Sequence, residues 1–206
     1  MKVLLINGSP HEKGCTYTAL SAVADALEKN EIETEIFHIG NGPVHGCIGC
    51  GRCGKTHTCV FDDDGVNRAI EKAADADGFV FGCPVHYASP NGAMISFMDR
   101  FWMASSAMSY KPAACVVSAR RAGTTASLDA LLKYPSFKHM PIVTAQYWNM
   151  VHGNTPQEVR QDEEGMQIMR TIGNNMAWLL NCIQAGKKAG IQPPKAEEKI
   201  KTSYIR

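Results

Sequence analysis

No stretch of this chain approaches the apolar length that a membrane span requires, and the opening Met-Lys-Val-Leu-Leu-Ile breaks at Asn7-Gly8, too early for the core of a secretory leader. A cytoplasmic protein without a membrane partner is therefore expected. Charge of one sign is lacking as well. The 21 basic and 20 acidic residues are intermixed and leave a net charge of +1, which offers no footprint for nucleic acid. Internal repeats and a domain-scale linker are absent. So are several catalytic signatures. The first strand-to-helix loop, Asn7 to Thr18, holds neither Gly-x-x-x-x-Gly-Lys-Ser/Thr nor Gly-x-Gly-x-x-Gly, which removes the nucleoside triphosphate loop and the dinucleotide fingerprint there. A cysteine phosphatase needs Cys-x5-Arg at a loop; Cys47 to Arg52 and Cys115 to Arg120 leave four intervening residues, and Cys115 to Arg121, which leaves five, starts inside an apolar run that reads as core. No Gly-x-Ser-x-Gly elbow occurs. His11, His38, His45, His57, His139 and His152 show no mutual metal-ligand spacing and read as structural or solvated.

What is present begins at the amino terminus. The apolar run Val3 to Ile6 enters Asn7-Gly8-Ser9-Pro10-His11-Glu12-Lys13-Gly14-Cys15-Thr16-Tyr17-Thr18, a Gly/Ser/Thr loop that opens a helix. Helix amides without carbonyl partners, a favourable dipole and hydroxyl donors make such a loop a phosphate cradle. With the two commonest nucleotide loops excluded, a mononucleotide phosphate such as that of FMN remains; an ordinary strand-to-helix turn is the plain alternative.

The 206 residues, 45% of them hydrophobic, fit one globular α/β domain. Strand-length apolar runs recur at Val3–Ile6, Ile32–Phe37, Gly78–Phe81, Ala114–Ser118 and Ile142–Gln146, alternating with helical or loop-rich stretches, as in a parallel sheet. Leu20, Val23 and Leu27, and later Met94, Phe97, Met98 and Phe101, repeat at helical spacing and read as core contacts. Thr155-Pro156-Gln157-Glu158 is a capping box that announces a long final helix through Ile183, with Gly165 or Gly173 as the place for a bend. A domain over residues 1–190 is predicted, followed by a tail or subunit arm over 191–206, where Pro193-Pro194 and a charged run cannot bury themselves. In an open doubly wound sheet the ligand site lies beyond the carboxyl ends of the strands. The loops at Ser9, at the cysteines, at Cys83–Ser89 and at Ala119–Thr125 all fall there.

Gly8-Ser9-Pro10, the helix entry at Thr16, Pro84-Val85-His86-Tyr87 and Phe97-Met98-Asp99-Arg100 together resemble the NAD(P)H-dependent FMN reductase and iron-sulfur flavoprotein group of flavodoxin-like proteins. The resemblance spans nearly the whole chain. It implies a five-stranded doubly wound sheet of order 2-1-3-4-5, FMN as cofactor and NAD(P)H as co-substrate. Carried over by motif, Ser9, Cys15, Thr16 and Thr18 meet phosphate or ribityl; Pro84, Val85, His86, Tyr87, Ala88 and Ser89 border the isoalloxazine; Ser118, Arg120, Arg121 and Gly123 close over it. Two departures stand out: the fourth-strand loop is not Gly-Gly-rich, and His86 occupies a place where tyrosine is frequent in the group. A guanidinium at Arg120 or Arg121 suits phosphate or the charge of reduced flavin, while adjacent arginines at a strand end also suit plain solvation. No proton donor is assigned.

The cysteines of Cys47-Ile48-Gly49-Cys50-Gly51-Arg52-Cys53, together with Cys59, form C-x2-C-x2-C-x5-C, four thiols in thirteen residues, followed by Asp62-Asp63-Asp64. Two-residue gaps turn successive thiolates toward one point and glycines permit the tight turns, so a [4Fe–4S] cluster fits better than chance cysteines. Zinc also accepts four thiolates, and free thiols are the third alternative. The spacing and the aspartate run resemble the iron-sulfur flavoproteins closely. Cys83, Cys115 and Cys182 sit in or beside apolar elements and read as core. The expected function is an FMN-dependent NAD(P)H oxidoreductase that reduces a small quinone, flavin, nitro or azo acceptor. The alternative is an electron carrier in which FMN and a cluster serve protein partners. A homodimer or homotetramer is expected, since a ring held at a sheet edge needs cover.

Overall fold

The computed structural model describes residues 1–106, 108–195, 197–198, 200–202 and 204. Five parallel strands form its centre: β1 (Lys2–Asn7), β2 (Glu33–His38), β3 (Gly78–His86), β5 (Ala113–Ala119) and β6 (Met150–His152). They lie side by side in the order β2-β1-β3-β5-β6. A sixth, two-residue strand, β4 (Ser89–Pro90), folds back antiparallel on β3 outside this path. Leaving that hairpin arm aside, the order is the 2-1-3-4-5 expected; counting it, the sheet has six strands.

Alternation along the buried strands sorts their side chains onto two faces. Leu4 and Ile6 of β1 join one core and Val3 and Leu5 the other. The first core is covered by α3 (Val66–Ala74), α4 (Gly92–Ala104) and α5 (Thr124–Phe137); the second by α1 (Cys15–Glu28), α6 (Pro156–Gln161) and α7 (Glu163–Lys188). A one-turn helix, α2 (Cys53–Thr56), stands in the cysteine loop. All of Leu20, Val23, Leu27, Met94, Phe97, Met98 and Phe101 are fully buried.

Three expectations are corrected. Cys182 is exposed, unlike the buried Cys83 and Cys115. Residues 142–146 do not make the fifth strand: only an isolated bridge joins Ile142 to Ala113, and the chain leaves the sheet until Met150 pairs with Val117. Side-chain amides replace the ladder over this excursion, Asn149 donating to the Val143 carbonyl and Asn175 to that of Thr144. The final helix begins as expected, with Thr155 Oγ1 accepting from the Glu158 amide, but it breaks at Asp162, whose carboxylate accepts from the Gly165 amide and starts α7. Gly173 lies inside the unbroken α7 and marks a close approach to α1. A Cβ there would stand 2.6 Å from the Val23 carbonyl oxygen and from Ala26 Cβ of α1.

Candidate functional site

The first loop is fixed by Asn7, a fully buried residue at the end of β1. Its Oδ1 accepts from the Ser9 amide at 3.1 Å, and its Nδ2–H donates to the Glu12 carbonyl at 2.9 Å. The loop continues to close on itself as Ser9 Oγ accepts from the His11 amide. His38, at the end of β2, donates Nε2–H to the Ser9 carbonyl at 2.7 Å, which sets its tautomer. Gly8 donates to the Gly82 carbonyl of β3, and a Cβ on Gly8 would strike Met94 Sδ at 2.5 Å, so only glycine lets the strand end lie this close to α4. At the head of α1, Gly14 caps without a side chain, and the amides of Cys15, Thr16 and Tyr17 have no carbonyl partner among the described residues. These donors are the observation against which a phosphate is tested, and they fit one.

Of the hydroxyls and thiol predicted at this loop, Ser9 is buried and retains its own proton for donation, since its Oγ is the acceptor in the bond to His11. Thr16 Oγ1 meets Ser118 Oγ at 2.8 Å, joining the first loop to the end of β5 and leaving one of the two protons unspent. Thr18 differs. Its hydroxyl is committed to the Gly14 carbonyl inside α1. Cys15 Sγ lies 3.7 Å from the Gly153 carbonyl beyond β6, and burial, with the Glu158 charge nearby, pushes its thiol pKa up.

The third-strand loop is a two-residue hairpin. Val85 pairs with Pro90 and His86 with Ser89, while Tyr87 (φ 49°) and Ala88 (φ 60°) turn in the left-handed region. Asn91 anchors its exit: its amide donates to the Pro84 carbonyl, its Oδ1 accepts from the Met94 amide at the start of α4, and its Nδ2 lies 3.0 Å from His86 Nδ1. His86, Tyr87, Ala88 and Ser89 are exposed, as are Arg120 and Arg121. Gly123 (φ 94°) sits against this hairpin, where an added Cβ would meet Ala88 Cα at 2.5 Å and Val85 Cγ1 at 2.8 Å. The loops after β1, β3 and β5 therefore do converge, through Thr16–Ser118 and Gly123–Ala88. The two arginines are placed at the rim and contact none of the other predicted residues through a hydrogen bond.

The cysteine loop lies on the other side of α4. Cys47, Cys50, Cys53 and Cys59 line one cavity of about 90 Å³, walled by Ile48, Phe61 and Met103. Gly49 (φ 65°) and Gly51 (φ 70°) make its turns and have open space around them, and His57 (φ 55°) ends α2. Cys47 and Cys50 are exposed, Cys53 and Cys59 half-buried. Among the described residues no three of these sulfurs lie within 4.8 Å of one another. Tetrahedral zinc, with bonds of about 2.3 Å, would hold its four sulfurs within about 4 Å of each other. Zinc accepts four thiolates as well, and the all-thiol donor set around an apolar-walled space also fits a larger iron–sulfur group.

Two residues that sequence reasoning gave no role hold this loop. Asn67 of α3 accepts from the Cys59 amide at 2.8 Å and donates to the carbonyls of Cys59 and Phe61. Arg100 of α4 is buried, paired with Asp64, and donates to Cys59 Sγ. Burial opposes its charge, but Asp64 and Cys59 outweigh that and hold the guanidinium firmly protonated. Asn7, Asn67 and Asn91 carry no motif of their own; the available signal was an amide placed directly at a strand end or beside a motif, and Arg100 stood in the Phe97–Arg100 segment already quoted. Between α4 and α5 an apolar cleft of about 930 Å³ runs from Pro90 of the hairpin to Cys47 of the cysteine loop, past Trp102, Tyr134 and Phe137.

Comparison with known proteins places these features. The NADPH-dependent FMN reductase family matches residues 1–155. An iron-sulfur flavoprotein of Methanocaldococcus jannaschii is 26% identical over 193 residues, covering 89% of this chain and all of that relative. Among solved structures, a NAD(P)H:quinone oxidoreductase from Methanothermobacter marburgensis superposes with a TM-score of 0.61 at 16% identity, over 85% of this chain and 96% of the other. An archaeal flavodoxin gives 0.59 at 12% identity, over 88% and 99%. The fold is flavodoxin-like. Among the described residues no helix is long and apolar enough to cross a membrane.

Proposed function

The chain belongs to the NADPH-dependent FMN reductase family, and on that premise we propose that it is an FMN-dependent NAD(P)H oxidoreductase in which the phosphate end of the flavin is held by the first loop. The carrying observation is the set of unspent amides at Cys15, Thr16 and Tyr17, together with the loops joined by Thr16–Ser118 and Gly123–Ala88. Bound FMN supplies hydride acceptance from NAD(P)H and delivery of electrons to a small acceptor such as a quinone, flavin, nitro or azo compound. The chain's own residues hold and shape the site. Ser9 and Thr16 donate hydroxyl protons toward phosphate oxygens; Asn7 and His38 keep the loop from rearranging to satisfy its amides internally. Pro84 to Ser89 form the ring border, where Asn91 fixes His86, and Arg120 and Arg121 place positive charge at the open rim. Cys15 and Thr18 support the loop through Gly153 and Gly14.

Cys47, Cys50, Cys53 and Cys59 are the ligands of a [4Fe–4S] cluster in this reading. The four thiols lining one apolar-walled cavity support it, and the name of the Methanocaldococcus jannaschii relative points the same way. The working unit is at least a dimer of a cytoplasmic protein, with residues 1–190 as the domain and 191–206 as a tail or arm. The test is anaerobic purification with measurement of FMN per chain, followed by NAD(P)H oxidation with a small quinone. Bound FMN with turnover is expected. FMN without turnover overturns the oxidoreductase in favour of an electron carrier, and light scattering that gives a monomer with full FMN overturns the dimer.

A further inference from the structure

The Arg100 side chain is 1% exposed and that of its partner Asp64 3%. A buried cation needs a counter-ion, and Asp64 supplies one through Nη1. The remaining donors are distributed with a direction that charge balance does not require. Nη1–H also reaches the His45 carbonyl at 3.2 Å and Nη2–H the Phe61 carbonyl at 3.0 Å, on either side of the cysteine loop. Nε–H is turned on the Cys59 sulfur at 3.0 Å. The guanidinium lies 5.3 Å from the centroid of the Phe61 ring, which stacks on His45 at 4.3 Å. Asn67 meanwhile holds the amide and carbonyl of Cys59. Cys59 is thus fixed at both backbone and sulfur, whereas the Cys47, Cys50 and Cys53 thiols have no hydrogen-bond partner among the described residues.

We propose that Arg100 is a positioning residue for the metal group of the cysteine loop: it presets the Cys59 sulfur as the anchored corner and, through its Nε–H, raises the reduction potential of a cluster bound there. This rests on the cluster reading of the four cysteines. Reduction adds negative charge that spreads onto the sulfurs, and a donor aimed at one of them stabilises the reduced form more than the oxidised form. Asp64 acts in the opposite sense, since its carboxylate offsets the guanidinium charge. Lysine would keep the ion pair but lacks the rigid fork that engages Asp64, two carbonyls and a sulfur at once.

The test uses the full chain reconstituted anaerobically with iron and sulfide, as wild type, Arg100→Lys and Asp64→Asn. Iron, sulfide and FMN per chain are measured, and the cluster midpoint potential is read by dithionite titration followed by electron paramagnetic resonance. Arg100→Lys is expected to keep FMN and iron with a more negative potential, and Asp64→Asn to shift it more positive. Iron in both wild type and Arg100→Lys with an unchanged potential overturns this inference and leaves the cluster reading standing. A wild type that takes up no iron overturns the cluster reading and this inference with it. If Arg100→Lys alone takes up no iron, Asp64→Asn decides: a positive shift upholds the proposal, and an unmoved potential overturns it.

Discussion

The loops that follow β1 and β2 leave neighbouring strands at the same edge of the sheet, yet they are prepared for their ligands in opposite ways. The first is closed by its own strand end: Asn7 spends both ends of its amide on it, His38 braces it from the next strand, and its open donors belong to a helix that is already formed. The cysteine loop is held at its ends, where Arg100 reaches the His45 and Phe61 carbonyls and Arg100 and Asn67 hold Cys59, but not at its middle, where Cys47 and Cys50 are exposed and Gly49 and Gly51 are left-handed. On the function proposed above, the contrast follows from what each ligand would bring. A phosphate offers only acceptors and rewards donors that are fixed beforehand, whereas four thiolate–metal bonds are strong enough to order a loop that hydrogen bonds leave unassembled.

Breaking the second region should have the largest effect. Cys50→Ala is expected to abolish a cluster, from roughly four irons per chain to none after anaerobic reconstitution, because a cubane needs all four thiolates. FMN should still bind when supplied in excess, since the flavin loop shares no hydrogen bond with Cys50. The first region should fail more gradually. Charge-assisted hydrogen bonds contribute about 1.5–3 kcal/mol each, so Ser9→Ala combined with Thr16→Ala should release flavin on gel filtration, and retention at unchanged affinity would locate the phosphate elsewhere. A sharper variant is Gly123→Ala. It sets a Cβ 2.5 Å from Ala88 Cα at a left-handed residue and should cost about 1–3 kcal/mol of stability, read as a lower urea midpoint. In the cysteine region Asn67→Ala should leave the chain folded but lower its iron content, since the Cys59 amide and carbonyl both lose their partner.

The smallest effect appears only in alkali. Burial holds the Cys83 thiol far above its ordinary value of 9.0, up to about 12, and raises that of Cys115 further. Both thiols are therefore protonated in the fold where the unfolded chain would ionise them. Stability from this source is complete below about pH 9 and falls as pH rises toward 12, by at most about 1.4 kcal/mol per pH unit for each thiol. Urea midpoints between pH 8 and 11 should decline less steeply in a Cys83→Ala/Cys115→Ala protein than in wild type.

How much of this was legible in the sequence differs between fold and site for a physical reason. Helix stripes such as Met94, Phe97, Met98 and Phe101 depend on local periodicity, and they are buried as read. The edge strand depends on a partner. Ile142 to Gln146 has strand composition, but Asn149 and Asn175 take carbonyls that a ladder would have used. In the site, thiols and hydroxyls announce their chemistry by type. Asn7 and Asn67 hold loops two to eight positions away through amides that carry no motif, and Arg100 acts only through where the chain returns in space, reaching a cysteine forty-one positions away.

Helix α4 begins at Asn91, which is bonded to the hairpin residues Pro84 and His86, and carries Arg100 at the cysteine loop nine residues later, about 13.5 Å along its axis. A rod clamped at both ends acts as a fixed-gauge spacer, so unravelling it at one end loosens the grip at the other. Filling either site is then expected to slow the same opening reaction, and by reciprocity each occupant is expected to tighten the binding of the other by an equal factor. Amide exchange along α4 would register this as added protection near Arg100 when only flavin is supplied.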